Sequence, residues 1–424
     1  MTSPFLARNF FIRRCEVEHS QARRLKVALV GGPMYDYPYT KIHEFEAQSG
    51  YSVEIGAKLI HPKLNEHIAS LYSKGEGDYD LITTHSKYAP SQEQWLTPLD
   101  DDITDAELTQ FIPSTIELTR INGRLMQLPR NIDVKLIYYR KDLFEDVKEK
   151  KAFEDQYGYS LEPPRTWEQL RDIAVFFNRP PELYGFVFPG RYSGLFGHFF
   201  ELLCMAGGNL FDSDLKPQFL TSAGEWALGF LRRLYFEDKV CPLEVPDWHY
   251  DEVAQCFRDG KAAITTDWPG SFATYKDPSL SKVGGKFAVA IYPAGPSGKR
   301  FVYAGGFSYA IPQGCKDRPG ALALMRFLLS DQMQYEEACH GAIPVKSYAQ
   351  ERIKKEAEPG SMEKARLEML EKTVGNHMLV PPKLAKYPEI EDILWVSLQK
   401  GYTGKVSIKE ALEEAASEIN RILK

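Results

Sequence analysis

The chain has 424 residues, more than a single hydrophobic core supports, so we expect two domains or lobes. Its 43% hydrophobic and 26% charged residues are ordinary for a globular protein. The net charge of −6 argues against nucleic acid or an anionic membrane surface as the main partner, because both require a basic face. No apolar run of about 18 residues occurs, so no membrane-spanning helix is predicted.

The first 25 residues carry several arginines and only a short apolar run, Phe10-Phe11-Ile12. A secretory leader needs an apolar region of about 7–15 residues, so none is recognisable in this stretch. We expect residues 1–25 to form a loose N-terminal extension. Three explanations stay open: the start is wrongly placed, a leader is missing from it, or the protein stays in the cytoplasm.

The cysteines show neither a CxxC pair nor the spacing of a metal site. They are Cys15, Cys204, Cys241, Cys256, Cys315 and Cys339. Cys204 and Cys256 fall in apolar helical stretches, where a cysteine usually behaves as a small buried hydrophobe. The pattern predicts no metal and no cofactor, and it leaves open whether any cysteines pair.

From residue 26 onward, predicted strands and helices alternate. The strands are predicted at 26–31, 52–57 and 80–83, and the helices between them at 39–49 and 62–74. This order and spacing predict a parallel sheet with helical crossovers.

Residues 120–144 predict a hairpin followed by a passage between two lobes. Asn122-Gly123 lies between two β-like runs, which is the strongest short-range signal for a hairpin. An apolar strand continues to Pro129, a second strand covers 134–139, and a helix begins at 141–144.

Beyond this passage the chain shows clear starts and ends of elements. Pro163-Pro164-Arg165-Thr166-Trp167 is a helix start with Thr166 as the N-cap residue. A helix at 251–258 is followed by Gly260-Lys261-Ala262-Ala263 and a strand. Further predicted elements are a strand at 184–188, helices at 194–206 and 223–237, return strands at 286–292 and 303–312, a helix at 319–329, another passage at 342–345, and helices near 361–372, 388–399 and 407–423.

Over residues 25–424 this ordered set resembles family 1 of the extracellular solute-binding proteins of ABC importers, the carbohydrate-binding group that includes maltose-binding protein. The hairpin and passage at 120–144, the strand entry at 78–82, the turn at 96–101, the Pro-Arg-Thr-Trp helix start and the Gly-Lys-Ala-Ala element carry the resemblance. It implies an α/β, two-lobed type II periplasmic-binding-protein fold with about three crossover segments. The lobes implied are 26–132 plus 290–342 and 133–289 plus 343–424.

The resemblance also implies a function. The protein would capture a sugar or oligosaccharide between its lobes by hinge closure and deliver it to ABC permease subunits at the membrane. It would be a monomer in the periplasm or at the cell surface, without a cofactor, a nucleic-acid partner or enzymatic activity. Many family members carry an arginine before a late proline, whereas residues 378–383 contain none, so the identity of the ligand stays open.

Candidate ligand-binding residues follow predicted strand ends and loops, where an open α/β sheet places its crevice. Tyrosines there can stack or donate, carboxylates can accept hydroxyl groups, and a histidine can donate. The candidates of this kind are Tyr35 and Asp36 after the first strand, His85 after the third, Asn131 and Asp133 at the hinge, and Arg191 and Tyr192 before the apolar helix.

Two dipeptides, Asp247-Trp248 and Asp267-Trp268, place an indole beside a carboxylate. A sugar ring has an apolar face of C–H bonds and a rim of hydroxyl groups, and this combination binds both. By the resemblance, Trp268 is the stacking tryptophan, while Gly306 and Phe307 match a cleft position of the family.

Two alternatives remain at this stage. The ligand could be a non-sugar solute such as a polyamine, an osmolyte or a phosphodiester. The chain could also be a cytosolic enzyme or sensor on the same fold. The sequence contains no nucleotide-binding, zinc-protease or serine-hydrolase motif, although Asp247, Asp251 and Asp267 could be combined into a glycosidase-like carboxylate pair.

Overall fold

The structure is a computed structural model that describes residues 23–32 and 35–424, so most of the predicted N-terminal extension, with Cys15, lies outside it. The strands are β1 (Arg23–Val30), β2 (Tyr51–Leu59), β3 (Leu81–His85), β4 (Arg120–Ile121), β5 (Arg124–Leu125), β6 (Leu128–Pro129), β7 (Asn131–Val134), β8 (Leu136–Arg140), β9 (Tyr184–Val187), β10 (Ala262–Asp267), β11 (Phe287–Ala290), β12 (Val302–Gly305), β13 (Phe307–Ala310), β14 (Ile343–Pro344) and β15 (Met378–Leu379).

The helices alternate with these strands. They are α1 (Ile42–Ser49), α2 (His61–Ser73), α3 (Ala89–Gln92), α4 (Asp105–Leu108), α5 (Pro113–Thr119), α6 (Lys141–Glu145), α7 (Val147–Tyr157), α8 (Trp167–Phe177), α9 (Tyr192–Met205), α10 (Ser222–Arg232), α11 (Tyr250–Arg258), α12 (Ser271–Lys276), α13 (Arg318–Leu328), α14 (Asp331–Cys339), α15 (Ser347–Glu356), α16 (Met362–Asn376), α17 (Tyr387–Tyr402) and α18 (Ile408–Ile422). Short 3₁₀ turns cover Tyr37–Lys41, Glu93–Trp95 and Val245–Asp247, and a π turn covers Arg233–Glu237.

The first lobe is built on a sheet with the strand order β2-β1-β3-β13-β6. β1 pairs in parallel with both β2 and β3, which confirms the predicted parallel arrangement. β13 pairs with β3 in the antiparallel direction, so a strand from much later in the chain completes the sheet. Because β1, β2 and β3 are parallel, their carboxyl ends lie at one edge of the sheet.

The second lobe is built on a sheet with the strand order β11-β8-β10-β9. α9 is buried from residue 193 to residue 205 and contacts β10 of this sheet, where the His198 ring lies 3.0 Å from the Thr266 hydroxyl group. α17 packs against α9 and α18, so the C-terminal helices belong to this lobe, whereas α15 packs against α14.

A third sheet, with the order β14-β7-β12-β15, joins the lobes. β7 leads from the first sheet to the second, β12 leads back, and β14 lies in the third passage, in agreement with the predicted crossovers. Strands approach closely here: a Cβ atom on Gly306 would lie 2.2 Å from the carbonyl oxygen of Asn131. Arg130, beside β7, donates to the buried Glu337 carboxylate and to the carbonyl oxygen of Tyr35.

Several local predictions are confirmed. Asn122 and Gly123 both have positive φ values, 51° and 80°, and turn β4 into β5. The Thr166 hydroxyl accepts the backbone N–H of Gln169 at 3.2 Å and caps α8. Cys204 and Cys256 are buried, and the five cysteines in the described part of the chain are all free.

Several predicted elements differ from the structure. The strand predicted at 303–312 is divided into β12 and β13, and the strand predicted at 134–139 is interrupted between β7 and β8; in each case the two parts belong to different sheets. The strand expected to run up to Pro129 is split, because β5 pairs with β4 whereas β6 pairs with β13. The helix expected at 223–237 ends as α10 at Arg232 and continues as the π turn, in which Asp238 donates to the carbonyl oxygen of Arg233. Among the described residues, no helix is both long and apolar enough to cross a membrane.

Candidate functional site

A cavity of about 200 Å³ lies between the two lobes, next to the hinge strands. The first lobe contributes Gly31, Gly32, Tyr35, Ile60, His61, His85, Lys87 and Phe307, the hinge contributes Asp133, Tyr303 and Gly305, and the second lobe contributes Ser193, His249, Tyr250, Asp251, Ala254, Arg258, Asp267, Trp268, Ser271 and Thr274. Most of the first-lobe residues follow the carboxyl ends of β1, β2 and β3, where a parallel sheet places its crevice.

Six of the predicted residues line this cavity: Tyr35, His85, Asp133, Asp267, Trp268 and Phe307. His85 ends β3 and Phe307 begins β13, and strand pairing places these two residues opposite each other. Asp267 ends β10 in the second lobe. Strand ends of both lobes thus deliver these side chains to one space.

Four of the other predicted residues contact neighbouring protein groups instead of lining the cavity. The Asp36 carboxylate accepts the backbone N–H of Gly32 and pairs with Lys58 at 2.9 Å. The Asn131 amide donates to Asp133 at 2.8 Å and accepts the N–H of Phe307, and the Gly306 carbonyl accepts the N–H of Ser86. The Arg191 guanidinium lies 3.8 Å from Glu252 and above the ring of Tyr192.

The last three predicted residues also lie away from the cavity wall. Tyr192 is exposed and its ring meets that of Trp395 at 4.9 Å. Asp247 is exposed on a 3₁₀ turn, and Trp248 packs half-buried against the core of the second lobe. Although Asp247-Trp248 repeats the composition of Asp267-Trp268, the fold directs only the latter pair to the cavity.

Aromatic rings enter the cavity from both lobes. In the first lobe, Tyr35 and Phe307 meet edge to face at 4.8 Å. In the second lobe, Tyr250 and Trp268 meet in the same manner at 5.4 Å. These rings provide apolar faces on opposite sides of the space, as a ligand with an apolar ring face requires.

Three histidines line the cavity, and sequence reasoning found only His85. The Nδ1 atom of His85 accepts the backbone N–H of Lys87 at 3.2 Å, so Nε2 carries the proton of the neutral ring. Burial, with a contribution from Lys87, lowers the pKa of His85 well below its usual value. Burial also lowers the pKa of His61, and lowers that of His249 to about 3.

His61 has an unused hydrogen-bonding group. Its ring stacks on Tyr88 at 4.9 Å, and its buried Nε2 atom has no hydrogen-bond partner in the described structure. A neutral imidazole has one nitrogen that donates a hydrogen bond and one that accepts, and it carries no charge.

Burial raises the pKa of two carboxyl groups in the cavity wall. The pKa of Asp133 rises to about 7, although hydrogen bonds from Asn131 and Tyr35 and the charge of Arg130 oppose the shift. The pKa of Asp267 rises to about 6, against hydrogen bonds from Tyr275, the backbone N–H of Trp268 and Ser271. These acids change their charge within the physiological range, unlike an exposed aspartate.

Several wall residues were missed, and some carried a usable signal. His61 lies two residues after the end of β2, and Lys87 lies two residues after the end of β3. Both could therefore have been predicted from the rule that the crevice lies at the carboxyl ends of the strands. His249 and Tyr250 directly follow Trp248 at the start of α11. Tyr303 and Ser193 have no comparable local signal. Among the described residues, no group of side chains is placed to hold a metal ion.

Comparison with known proteins gives a consistent result. The model of the bacterial extracellular solute-binding protein family matches residues 71–335. A probable ABC transporter-binding protein of Deinococcus radiodurans is 27% identical over 293 residues, 66% of each chain. The mannitol-binding protein of Pseudomonas aeruginosa is 25% identical over 370 residues, 82% of this chain and 81% of that protein.

A solved structure shows the same fold. Maltose-bound MalE3 of T. maritima superposes with a TM-score of 0.83 at 25% identity, covering 95% of this chain and 100% of that one. The two-lobed type II architecture is therefore shared over almost the whole length. The family model covers more than half of the chain, and the chain belongs to the bacterial extracellular solute-binding protein family.

Proposed function

We propose that this solute-binding protein of an ABC importer holds one small hydroxylated solute, a monosaccharide or a sugar alcohol, in its interlobe cavity. The size of the cavity supports a small ligand. Its volume is about 200 Å³, and a cavity of roughly 150 Å³ holds one benzene molecule. One sugar ring or an open-chain polyol fits this space, whereas a longer oligosaccharide requires the lobes to stand further apart.

The chemistry of the wall is the observation that carries the proposal. Aromatic faces of Tyr35, Phe307, Tyr250 and Trp268 alternate with hydrogen-bonding groups, among them three histidines, two aspartates with raised pKa values and the ammonium group of Lys87. Such a wall suits a molecule with C–H faces and a rim of hydroxyl groups. The mannitol-binding relative and the maltose-bound structure belong to proteins with hydroxylated ligands, and of these two ligands mannitol is the one in the proposed size range.

The pKa shifts favour a neutral ligand over a polyamine. Burial raises the pKa of Asp133 to about 7 and that of Asp267 to about 6, so at neutral pH Asp133 is only partly ionised whereas Asp267 is mostly ionised. A polyamine would require Asp133 to ionise fully, whereas a hydroxyl group can donate to a carboxylate or accept from a carboxylic acid.

Binding between the lobes would stabilise the closed arrangement. A ligand shifts a conformational equilibrium only through contacts that differ between the states. Here the wall combines residues of both lobes, so a ligand contacts all of them only when the lobes are together.

For the site itself we propose direct ligand contacts by Tyr35, His61, His85, Asp133, Tyr250, Asp267, Trp268 and Phe307, and an indirect role for Asn131 through Asp133. We also propose lobe boundaries at 26–132 plus 290–342 and 133–289 plus 343–424, with α15 assigned instead to the first lobe because it packs against α14; the position of β7 at Asn131–Val134 supports the first boundary. The partners would be ABC permease subunits, reached by a monomer in the periplasm or at the cell surface.

A thermal-shift screen tests the proposal. The panel contains monosaccharides, disaccharides, sugar alcohols, uronic acids, polyamines and amino acids. A rise of several degrees with one monosaccharide or sugar alcohol, growing with ligand concentration by mass action, is the expected result. Stabilisation by polyamines alone, or only by disaccharides and longer sugars, contradicts the proposed ligand class.

A further inference from the structure

A buried ion pair joins the two lobes at the wall of the cavity. Lys87, on the turn after β3 in the first lobe, places its ammonium nitrogen 2.7 Å and 3.1 Å from the two carboxylate oxygens of Glu391. Glu391 lies on α17, which packs on α9 of the second lobe. The side chains are only 2% and 6% exposed, so the pair is shielded from water and salt.

Glu391 is held by more than this one contact. Its carboxylate also accepts the hydroxyl groups of Tyr88 at 2.9 Å and of Tyr387 at 3.3 Å. The Tyr387 hydroxyl in turn meets that of Tyr303, on the hinge strand β12, at 3.0 Å. The carboxylate thus connects a first-lobe turn, the hinge and a second-lobe helix.

Lys87 lines the ligand cavity, but Glu391 does not. An ammonium group has three N–H donors, and those not used by Glu391 remain to donate to a ligand oxygen. Lys87 sits on the first lobe and its counter-charge on the second, so separation of the lobes breaks the pair.

We propose that Glu391 is a positioning residue of the ligand site, which holds the charged Lys87 ammonium group at the cavity wall when the lobes are together. This inference rests on the proposed function, since it takes the cavity as the ligand site. Lys87 then donates to a hydroxyl or carboxylate oxygen of the solute. α17, although none of its residues lines the cavity, becomes part of the binding machinery.

The environment of Lys87 makes its charge dependent on Glu391. Burial lowers the pKa of Lys87, and the charge and hydrogen bond of Glu391 oppose that shift. The other titratable groups that face it are Asp392 of α17, His85 and Tyr88 of its own turn, His61 of α2, and His249 at the start of α11. Without the carboxylate, the ammonium group is an unpaired buried cation, which favours loss of its proton.

The test measures the Kd of the full-length protein by calorimetry at pH 6.5 and pH 8.5. D-mannitol is the first probe, replaced if it does not bind by the sugar or polyol that stabilises the protein most. Glu391→Gln is compared with Glu389→Gln, a matched change on the same helix at a residue that is half exposed and pairs with Lys386. We expect Glu391→Gln to raise the Kd about tenfold at pH 8.5 and by no more than about twofold at pH 6.5, relative to the unmodified protein at the same pH. Glu389→Gln should bind as the unmodified protein does.

A purely structural role predicts something else. Glu391→Gln would then lower the melting temperature while the ratio of its Kd to that of the unmodified protein stays the same at both pH values, and this result overturns the inference. The inference is also overturned if Glu391→Gln raises the Kd by the same factor in a Lys87→Met background as in the unmodified protein. A residue that acts through Lys87 should have no further effect when Lys87 is absent.

A second variant covers the case in which Glu391→Gln does not fold. Lys87→Met/Glu391→Leu removes both charges and leaves no buried ion without a partner, a change that is often tolerated. It should fold and bind more weakly by the same factor at both pH values; unchanged affinity overturns the inference.

If the unmodified protein binds no sugar or polyol, the proposed function fails and the inference with it. If Trp268→Ala weakens binding but Glu391→Gln does not, the inference alone fails.

Discussion

The ammonium nitrogen of Lys135 lies 3.0 Å from a carboxylate oxygen of Glu201, and neither side chain is exposed. Lys135 connects the hinge strand β7 to β8, and Glu201 lies on α9. Glu201 also accepts the backbone N–H of Tyr303 on β12 and the hydroxyl group of Tyr292. The pair therefore fixes two crossover strands to the buried helix of the second lobe. The Lys135 nitrogen also lies over the ring of Trp268, 5.8 Å from its centre.

Replacing one partner of this pair should be strongly destabilising. Lys135→Met leaves the Glu201 carboxylate buried without its counter-ion, and we expect the free energy of unfolding to fall by about 3–5 kcal/mol. Urea denaturation followed by circular dichroism measures the change. Lys151→Met is the control, because Lys151 pairs with Asp155 on the surface and such pairs contribute about 0–1 kcal/mol. Equal losses in the two variants would show that burial of the pair is unimportant.

Trp248 and Trp268, each preceded in the sequence by an aspartate, provide a matched test of the site. Trp268→Ala removes an aromatic face of the cavity, so we expect the Kd for the bound sugar or polyol to rise about tenfold or more, equivalent to about 1.4 kcal/mol. Trp248→Ala removes an indole that packs away from the cavity, and the Kd should stay within about twofold. Calorimetry on both variants measures the two Kd values. A larger rise in Kd for Trp248→Ala than for Trp268→Ala would support the sequence-based prediction that Trp248 contacts the ligand.

The contrast between these tryptophans shows what local sequence could and could not predict. The strand ends, and with them Tyr35, His85 and Asp267, follow from alternation of elements, because parallel strands bring their carboxyl ends to one edge. Asp247 precedes Trp248 just as Asp267 precedes Trp268, but it stands on a 3₁₀ turn rather than at the end of a strand. Composition alone cannot distinguish the two positions.

Other parts of the site depend on contacts between segments far apart in sequence. Glu391 meets Lys87 across 304 residues, and Gly305 meets His85 only because β13 joins the sheet of β3. Neither the periodicity of hydrophobic residues nor a short motif within either segment predicts such pairs. They follow from the packing of the lobes, which the sequence predicts only as an overall architecture.

The raised pKa of Asp133 should make stability depend on pH. Its folded-state pKa is about 7, above the roughly 3.9 of an unfolded aspartate, so the native state binds more protons between these values. The contribution of Asp133 to stability is therefore present at low pH and lost as pH rises through about 7. We expect the stability difference between the unmodified protein and Asp133→Asn to fall by about 2–3 kcal/mol from pH 5 to pH 8.

Denaturation of both proteins without ligand at pH 5, 6, 7 and 8 checks this expectation. The difference between them isolates Asp133, since the histidines and Asp267 titrate in both proteins. Asp247→Asn is the control, because Asp247 is exposed, and its curve should run parallel to that of the unmodified protein. A parallel curve for Asp133→Asn as well would contradict the raised pKa.

Glycine-to-alanine changes separate effects on the site from effects on the fold. A Cβ atom on Gly305 would lie 2.4 Å and 2.6 Å from Cε1 and Nε2 of His85, so Gly305→Ala must displace this ring. We expect a tenfold or greater loss of ligand affinity. A Cβ atom on Gly375, within α16, would meet no described atom within 4 Å, and Gly375→Ala should add about 0.5–1 kcal/mol to the free energy of unfolding. Calorimetry and urea denaturation of both variants measure the two effects. Unchanged affinity in Gly305→Ala would mean that the position of the His85 ring is not critical for binding.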